Sequence, residues 1–104
     1  MQNLDTLLAG LRAAGEHSRL RILALCARSE LSVTELVQIL GQSQPRISRH
    51  LKLMVAAGLL ERIPEGAQVF YRLADNTESA VLAKALVALI PAADTGLDLS
   101  LIHI

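Results

Sequence analysis

The sequence predicts a mainly α domain carrying one β-hairpin, an α+β arrangement in which four helices precede two strands and a fifth helix follows. Three observations predict it. Apolar residues recur at intervals of three and four through most of the chain. Residues 59–73 break that period around a polar, Gly-containing turn. The hydrophobic share is 52% while the aromatic share is only 2%, so the core has to be Leu, Val, Ile and Ala, a set that suits packed helices.

Taken in chain order, residues 4–14 place Leu4, Leu7, Leu8 and Leu11 at helical intervals, and Gly15 ends that first packing helix. Ser18 is a cap for a second helix reaching about Arg28, with Leu20, Leu23, Ala24 and Ala27 on one stripe. Ser32-Val33-Thr34-Glu35 has the spacing of a capping box, in which each polar side chain satisfies the other residue's free N–H, so a third helix starts there and stops at Gly41. Ser43 caps a fourth helix from Gln44 to about Ala57. Pro45 is tolerated because first-turn N–H groups have no helical partner, and Gly58 is the stop. Residues 59–63 and 69–73 read as the strands of a hairpin around 64–68. From about Thr77 to Ile90 the chain is helical and apolar nearly all round, and Pro91 closes it.

The domain is therefore expected to occupy residues 1–90, with an irregular tail over 91–104. Leu99 to Ile104 (LSLIHI) resembles a peptide made when a sequencing adapter is read as coding sequence, and on that reading the natural protein continues differently. A chain of 104 residues holds one domain and buries only about 60 to 70% of its unfolded surface, so association would add useful burial. A lone cysteine, Cys26, cannot form an intramolecular disulfide, no signal peptide opens the chain, and no apolar run spans a bilayer. A reducing cytoplasm is the compartment this implies. Cys26, among Leu23, Leu25 and Ala27, reads as core rather than as a redox sensor. His17, Cys26 and His103 share no ligand spacing, so no metal is expected, and neither is a cofactor, since no glycine-rich strand-to-helix loop occurs.

Ten Lys and Arg balance ten Asp and Glu, but the charge is unevenly spread. Between Ser43 and Arg72 there are five basic residues (Arg46, Arg49, Lys52, Arg62, Arg72) against two acidic ones, and 43–60 contains no acid. A locally basic middle is what a DNA-reading face needs. It coincides with Thr34 to Leu51, two short amphipathic helices joined by a tight Gly-bearing turn, the layout of a helix-turn-helix followed by a wing. In that layout the first helix holds the second in the major groove. With about 100° per residue counted from Arg46, Ile47 lies near 100°, Leu51 near 140° and Met54 near 80°, whereas Arg49 lies near 300° and Lys52 near 240°. A core face and a basic face are opposed. Leu53, near 340°, breaks the division and is expected to pack against a neighbouring element.

The candidate DNA contacts are Gln42, Ser43, Gln44, Arg46, Ser48, Arg49, His50 and Lys52 on the turn and helix, with Arg62 and Gln68 on the hairpin. Gln44 and Arg46 suit base edges, since Gln pairs with adenine and Arg with guanine. Ser43, Ser48 and His50 can donate to phosphates or bases. Arg49, Lys52 and Arg62 suit phosphates, which position a protein without reading sequence. Gln68, beside Gly66, suits the minor groove or its backbone.

The segments SRLRILALC (18–26), LSVTELVQILGQSQPRISRHLKLM (31–54) and AAGLLERIPEGAQVFYRL (56–73) closely resemble the ArsR-type family of bacterial winged-helix repressors, the likeness running from Leu4 to Leu89. The resemblance implies a dimer built on the first and last helices, DNA contacts from residues 43–50, and a palindromic double-stranded operator whose half-sites lie about 34 Å apart. Metal-sensing members carry a Cys-containing box where this chain has Leu31-Ser32-Val33-Thr34, so soft-metal sensing is not implied. GQSQPRISRHLKL is also similar to the N-terminal module of longer S-adenosylmethionine-dependent methyltransferases. Two other readings therefore stand beside a transcriptional repressor that is not an enzyme: the N-terminal domain of a truncated methyltransferase, and a winged-helix protein-interaction module.

Overall fold

The computed structural model describes residues 3–91, and the expected tail over 92–104, including the adapter-like hexapeptide and His103, lies outside the described residues. Five helices and three short strands follow in the order α1 (Leu4–Ala14), α2 (His17–Arg28), β1 (Leu31–Ser32), α3 (Val33–Leu40), α4 (Gln44–Ala56), β2 (Leu60–Glu65), β3 (Gln68–Leu73) and α5 (Ala80–Leu89).

The caps explain most boundaries. Asn3 Oδ1 accepts from Thr6 N at 2.8 Å and starts α1. The expected capping box forms at α3, with Glu35 N donating to Ser32 Oγ at 3.2 Å and Ser32 N to Glu35 Oε1 at 2.9 Å. Ser43 caps α4 through Arg46 N at 3.4 Å. The second helix starts earlier than Ser18: Glu16 is its cap, accepting from Arg19 N at 3.1 Å, and Ser18 is buried inside the first turn. A carboxylate serves there as well as a hydroxyl, because what the helix end requires is an acceptor near its positive pole.

The sheet has one strand more than expected. Leu31 and Ser32 pair antiparallel with Tyr71 and Phe70, so β3 is the middle strand of the order β1-β3-β2. A two-residue strand is too short to carry a period of its own, and Leu31 shows in the sequence only as a lone apolar residue before a cap. The hairpin is also tighter than expected. Glu65 faces Gln68, leaving Gly66 and Ala67 as a two-residue turn, and Gly66 takes the positive φ of 64° that a primed hairpin turn demands. Pro64 lies within β2, an edge strand, where its missing N–H costs no ladder bond. The fifth helix begins at Ala80 rather than near Thr77, because Thr77 is engaged elsewhere, its Oγ1 donating to Gly58 O at 2.6 Å.

One core joins these elements. Ile22, Leu23 and Leu25 of α2 meet Leu31, Leu36 of α3, Ile47, Leu51 and Met54 of α4, and Leu59 and Leu60 at the start of the wing, all fully buried. Cys26 belongs to this core, and burial pushes its thiol pKa up to about 12. Gly10 lets α1 approach α5, since a Cβ there would stand 2.7 Å from Leu82 Cδ2. Both of these helices nevertheless keep an apolar face in solvent: Leu4, Leu8 and Leu11 on α1, Val81 and Leu89 on α5. Leu53, expected to pack on a neighbouring element, is instead 53% exposed.

Candidate nucleic-acid interface

α3 and α4 are joined by a turn that begins at Gly41, whose φ of 68° reverses the chain and lets Ser43 reach the N-terminus of α4. α4 is then seated by Ile47, Leu51 and Met54, which point into the core and leave the opposite face to solvent. That face carries Ser43, Gln44, Arg46, Arg49 and Lys52, all exposed, with Ser48 half-buried among them. Gln44 Nε2 donates to Ser48 Oγ at 2.9 Å, which braces two polar side chains one helical turn apart.

The hairpin stands beside this face. Ser48, Lys52, Val55 and Ala56 of α4, with Arg62 and Tyr71 of the facing strand pair, line a groove of about 420 Å³ with an apolar floor and two cationic flanks. Gln68 is exposed at the hairpin end, beside the Gly66-Ala67 turn. Among the described residues no carboxylate pairs with Arg46, Arg49, Lys52 or Arg62. Such charges are free to meet an anion without first breaking an internal pair. Arg72 differs: its Nε donates to Glu61 at 3.2 Å and its Nη1 to Glu30 at 3.3 Å. Those two carboxylates raise its pKa further and use up the charge that made it part of the basic middle.

Two residues expected on the DNA-facing surface are turned away from it. His50 is only 9% exposed, and Arg19 Nη1 approaches its Nδ1 at 3.2 Å. About 40° from Arg46 on the helical wheel, it falls on the flank of the stripe led by Ile47. Gln42 is half-buried, and its amide Nε2 donates to Ser18 Oγ at 2.6 Å. Both contacts join the start of α2 to the helix-turn-helix, so Glu16, Ser18 and Arg19 support the interface from behind, a role their sequence did not suggest. The one available signal was that Ser18 and Arg19 stand just ahead of the apolar run 22–27, a place where polar side chains become trapped at the edge of a core.

Among the described residues no three His, Cys, Asp or Glu side chains cluster as a metal site, and no helix is long and apolar enough to cross a membrane.

Residues 16–62 match the model of the arsR family of bacterial regulatory proteins. The HTH-type transcriptional repressor SmtB of Mycobacterium tuberculosis is 41% identical over 66 residues, covering 64% of this chain and 49% of SmtB. The chain thus spans about half the length of that relative. The biofilm growth-associated repressor of Agrobacterium fabrum is 34% identical over 87 residues, 84% of this chain and 74% of that protein. Among solved structures, the homodimeric winged helix-turn-helix DNA-binding domain of a possible ArsR-family regulator from Mycobacterium bovis superposes with a TM-score of 0.72. It is 28% identical, and the match covers 97% of this chain and 88% of that one.

Proposed function

Because this chain belongs to the arsR family of bacterial regulatory proteins, we propose that it is a sequence-specific, double-stranded DNA-binding transcriptional repressor rather than an enzyme, working as a homodimer in the cytoplasm. The observation that carries the reading is the α4 surface: Arg46, Arg49 and Lys52 stand exposed, paired with no carboxylate among the described residues, on a helix whose opposite side is locked into the core. Gln44 and Arg46, in the first turn of α4, reach base edges. Arg49 and Lys52, with Arg62 across the groove and Gln68 at the hairpin tip, hold phosphates and set register. The exposed apolar faces of α1 and α5 pair with those of a second copy, which supplies the burial so short a chain lacks. The M. bovis domain, which is homodimeric, supports this. A two-fold dimer asks for an inverted-repeat operator with half-sites about 34 Å apart.

Fluorescence anisotropy on a mixed-sequence duplex at low and moderate salt tests the reading. Binding that weakens steeply with salt, and further in an Arg46→Ala/Arg49→Ala variant, is expected. A folded dimer that binds no duplex at either salt would instead be a winged-helix protein-interaction module.

A further inference from the structure

His50 is buried on α4 against Arg19 and Glu16 at the start of α2, and these surroundings constrain its protonation. A guanidinium has donors only, so the 3.2 Å approach of Arg19 Nη1 makes His50 Nδ1 the acceptor. A neutral imidazole has a single acceptor nitrogen, which puts the proton on Nε2, 3.9 Å from Glu16 Oε2. Arg19 is not free to retreat: its Nε donates to Ala13 O at 2.6 Å, and its backbone N–H is tied to Glu16 Oε2 at 3.1 Å. A second proton on the ring would put an Nδ1–H against a guanidinium that cannot accept it.

From this geometry we propose that His50 is a positioning residue: by accepting from Arg19 it holds α4 to the start of α2, and its protonation releases that hold, so DNA binding weakens on acidification. The proposal rests on the DNA-binding reading above. The charged groups facing the ring are Glu16 and Arg19 from the start of α2, and Arg46 and Arg49 from its own helix. Burial and the three arginines hold its pKa below the ordinary imidazole range, while Glu16 opposes them. Glu16 stays ionised through the same interval: burial raises its pKa, but the N–H groups of Ser18 and Arg19 outweigh that and hold it below the usual carboxylate range. The transition therefore belongs to the histidine. Since the folded chain takes up this proton less readily than the unfolded one, the ring's contribution to stability is complete above the ordinary imidazole range and is lost as pH falls from there through the lower folded value.

The sign separates this role from direct contact. A histidine touching phosphate binds DNA more tightly when protonated, because it adds a cation to the interface. A histidine that must accept from Arg19 does the opposite.

The test is DNA affinity by anisotropy at fixed ionic strength between about pH 8 and about pH 5, for the full chain and for His50→Asn, whose Oδ1 replaces Nδ1 as acceptor but cannot be protonated. His50→Gln, which reaches the Nε2 position instead, serves as the variant without the acceptor. The natural chain is expected to lose roughly tenfold in affinity across the acid limb relative to His50→Asn. At pH 8, His50→Asn should bind like the natural chain and His50→Gln more weakly, with all three equally helical by circular dichroism. Two results would overturn the proposal: affinity that rises on acidification, or identical pH profiles for the natural chain and His50→Asn. Absence of DNA binding at every pH would instead remove the reading on which the proposal stands. A nitrogen NMR spectrum of the His50 ring, recorded without DNA, should show the Nε2–H tautomer at pH 8. An Nδ1–H tautomer would contradict the geometry directly.

Discussion

The molecule has two unpartnered surfaces of opposite chemistry. One is the polar face of α4 with the adjoining wing, where Arg46, Arg49, Lys52 and Arg62 stand free of carboxylates among the described residues. The other is the apolar face of α1 and α5, where Leu4, Leu8, Leu11, Val81 and Leu89 remain in water. Both are incomplete as they stand, and each asks for a different partner. Unpaired cations are well solvated and cost a lone chain little, so they imply an anion only through their arrangement on a helix shaped to enter a groove. Exposed leucines and valines cost solvation free energy until something covers them, and they imply a partner by their exposure alone.

The comparison is broken most severely on the apolar side. A Leu8→Glu/Leu89→Glu variant places like charges where two copies would meet and should be monomeric by analytical ultracentrifugation at concentrations where the natural chain is a dimer. Because two linked recognition helices bind as one unit, operator affinity should fall by about 10³-fold although no DNA-facing residue has changed. An unchanged dimer would move the association surface off α1 and α5.

The Arg46→Ala/Arg49→Ala variant tests the other surface and should do the reverse. Dimerisation should be intact, with operator affinity lower by about 10²-fold and most discrimination between operator and random duplex lost, as expected where one arginine reads a base edge. Lys52→Ala is milder: affinity should fall about threefold on every sequence alike, and the salt slope by about one, the signature of a phosphate contact. If Lys52→Ala instead changed sequence preference, the division into base-reading and phosphate-holding residues along α4 would be wrong.

How legible these surfaces were differs for a physical reason. The outward face of α4 could be read from sequence because Ile47, Leu51 and Met54 fix the helix phase, and the charges then fall where that phase puts them. The capping box at Ser32 and Glu35 was equally plain, since it depends on local spacing alone. Leu53 and the α1 stripe show the limit. Periodicity reports which residues share a face, but not whether that face meets the same chain or another one, so Leu4, Leu8 and Leu11 read as ordinary packing. β1 and the links from Ser18 to Gln42 and from Arg19 to His50 were not legible at all, because they depend on residues brought together across 24 to 40 positions of sequence. His50 is the instructive case. Its type suited DNA contact, while its position on the helical wheel, about 40° from both Arg46 and Met54, put it on the border between the open face and the core stripe.

The smallest expected effect lies where the two surfaces are joined. Gly58 ends α4 with a φ of 77°, and its carbonyl accepts from Thr77 Oγ1 at 2.6 Å, just before the chain turns into α5. A Cβ on Gly58 would stand 3.3 Å from the Thr77 side chain, so the contact is close as well as hydrogen-bonded. Thr77→Val keeps the branched shape and removes only the donor. It should lower unfolding free energy by about 1 kcal/mol in urea titration, the usual net value of one such bond, without changing the m-value. If the reading and dimerising surfaces are set independently by the core, DNA affinity and dimer stability should both stay within about twofold of the natural chain, since changes that share no partner act additively. A DNA affinity that fell in step with dimer stability would mean that Thr77 and Gly58 couple the two surfaces, and α5 would then be a route by which events at the dimer interface reach the recognition helix.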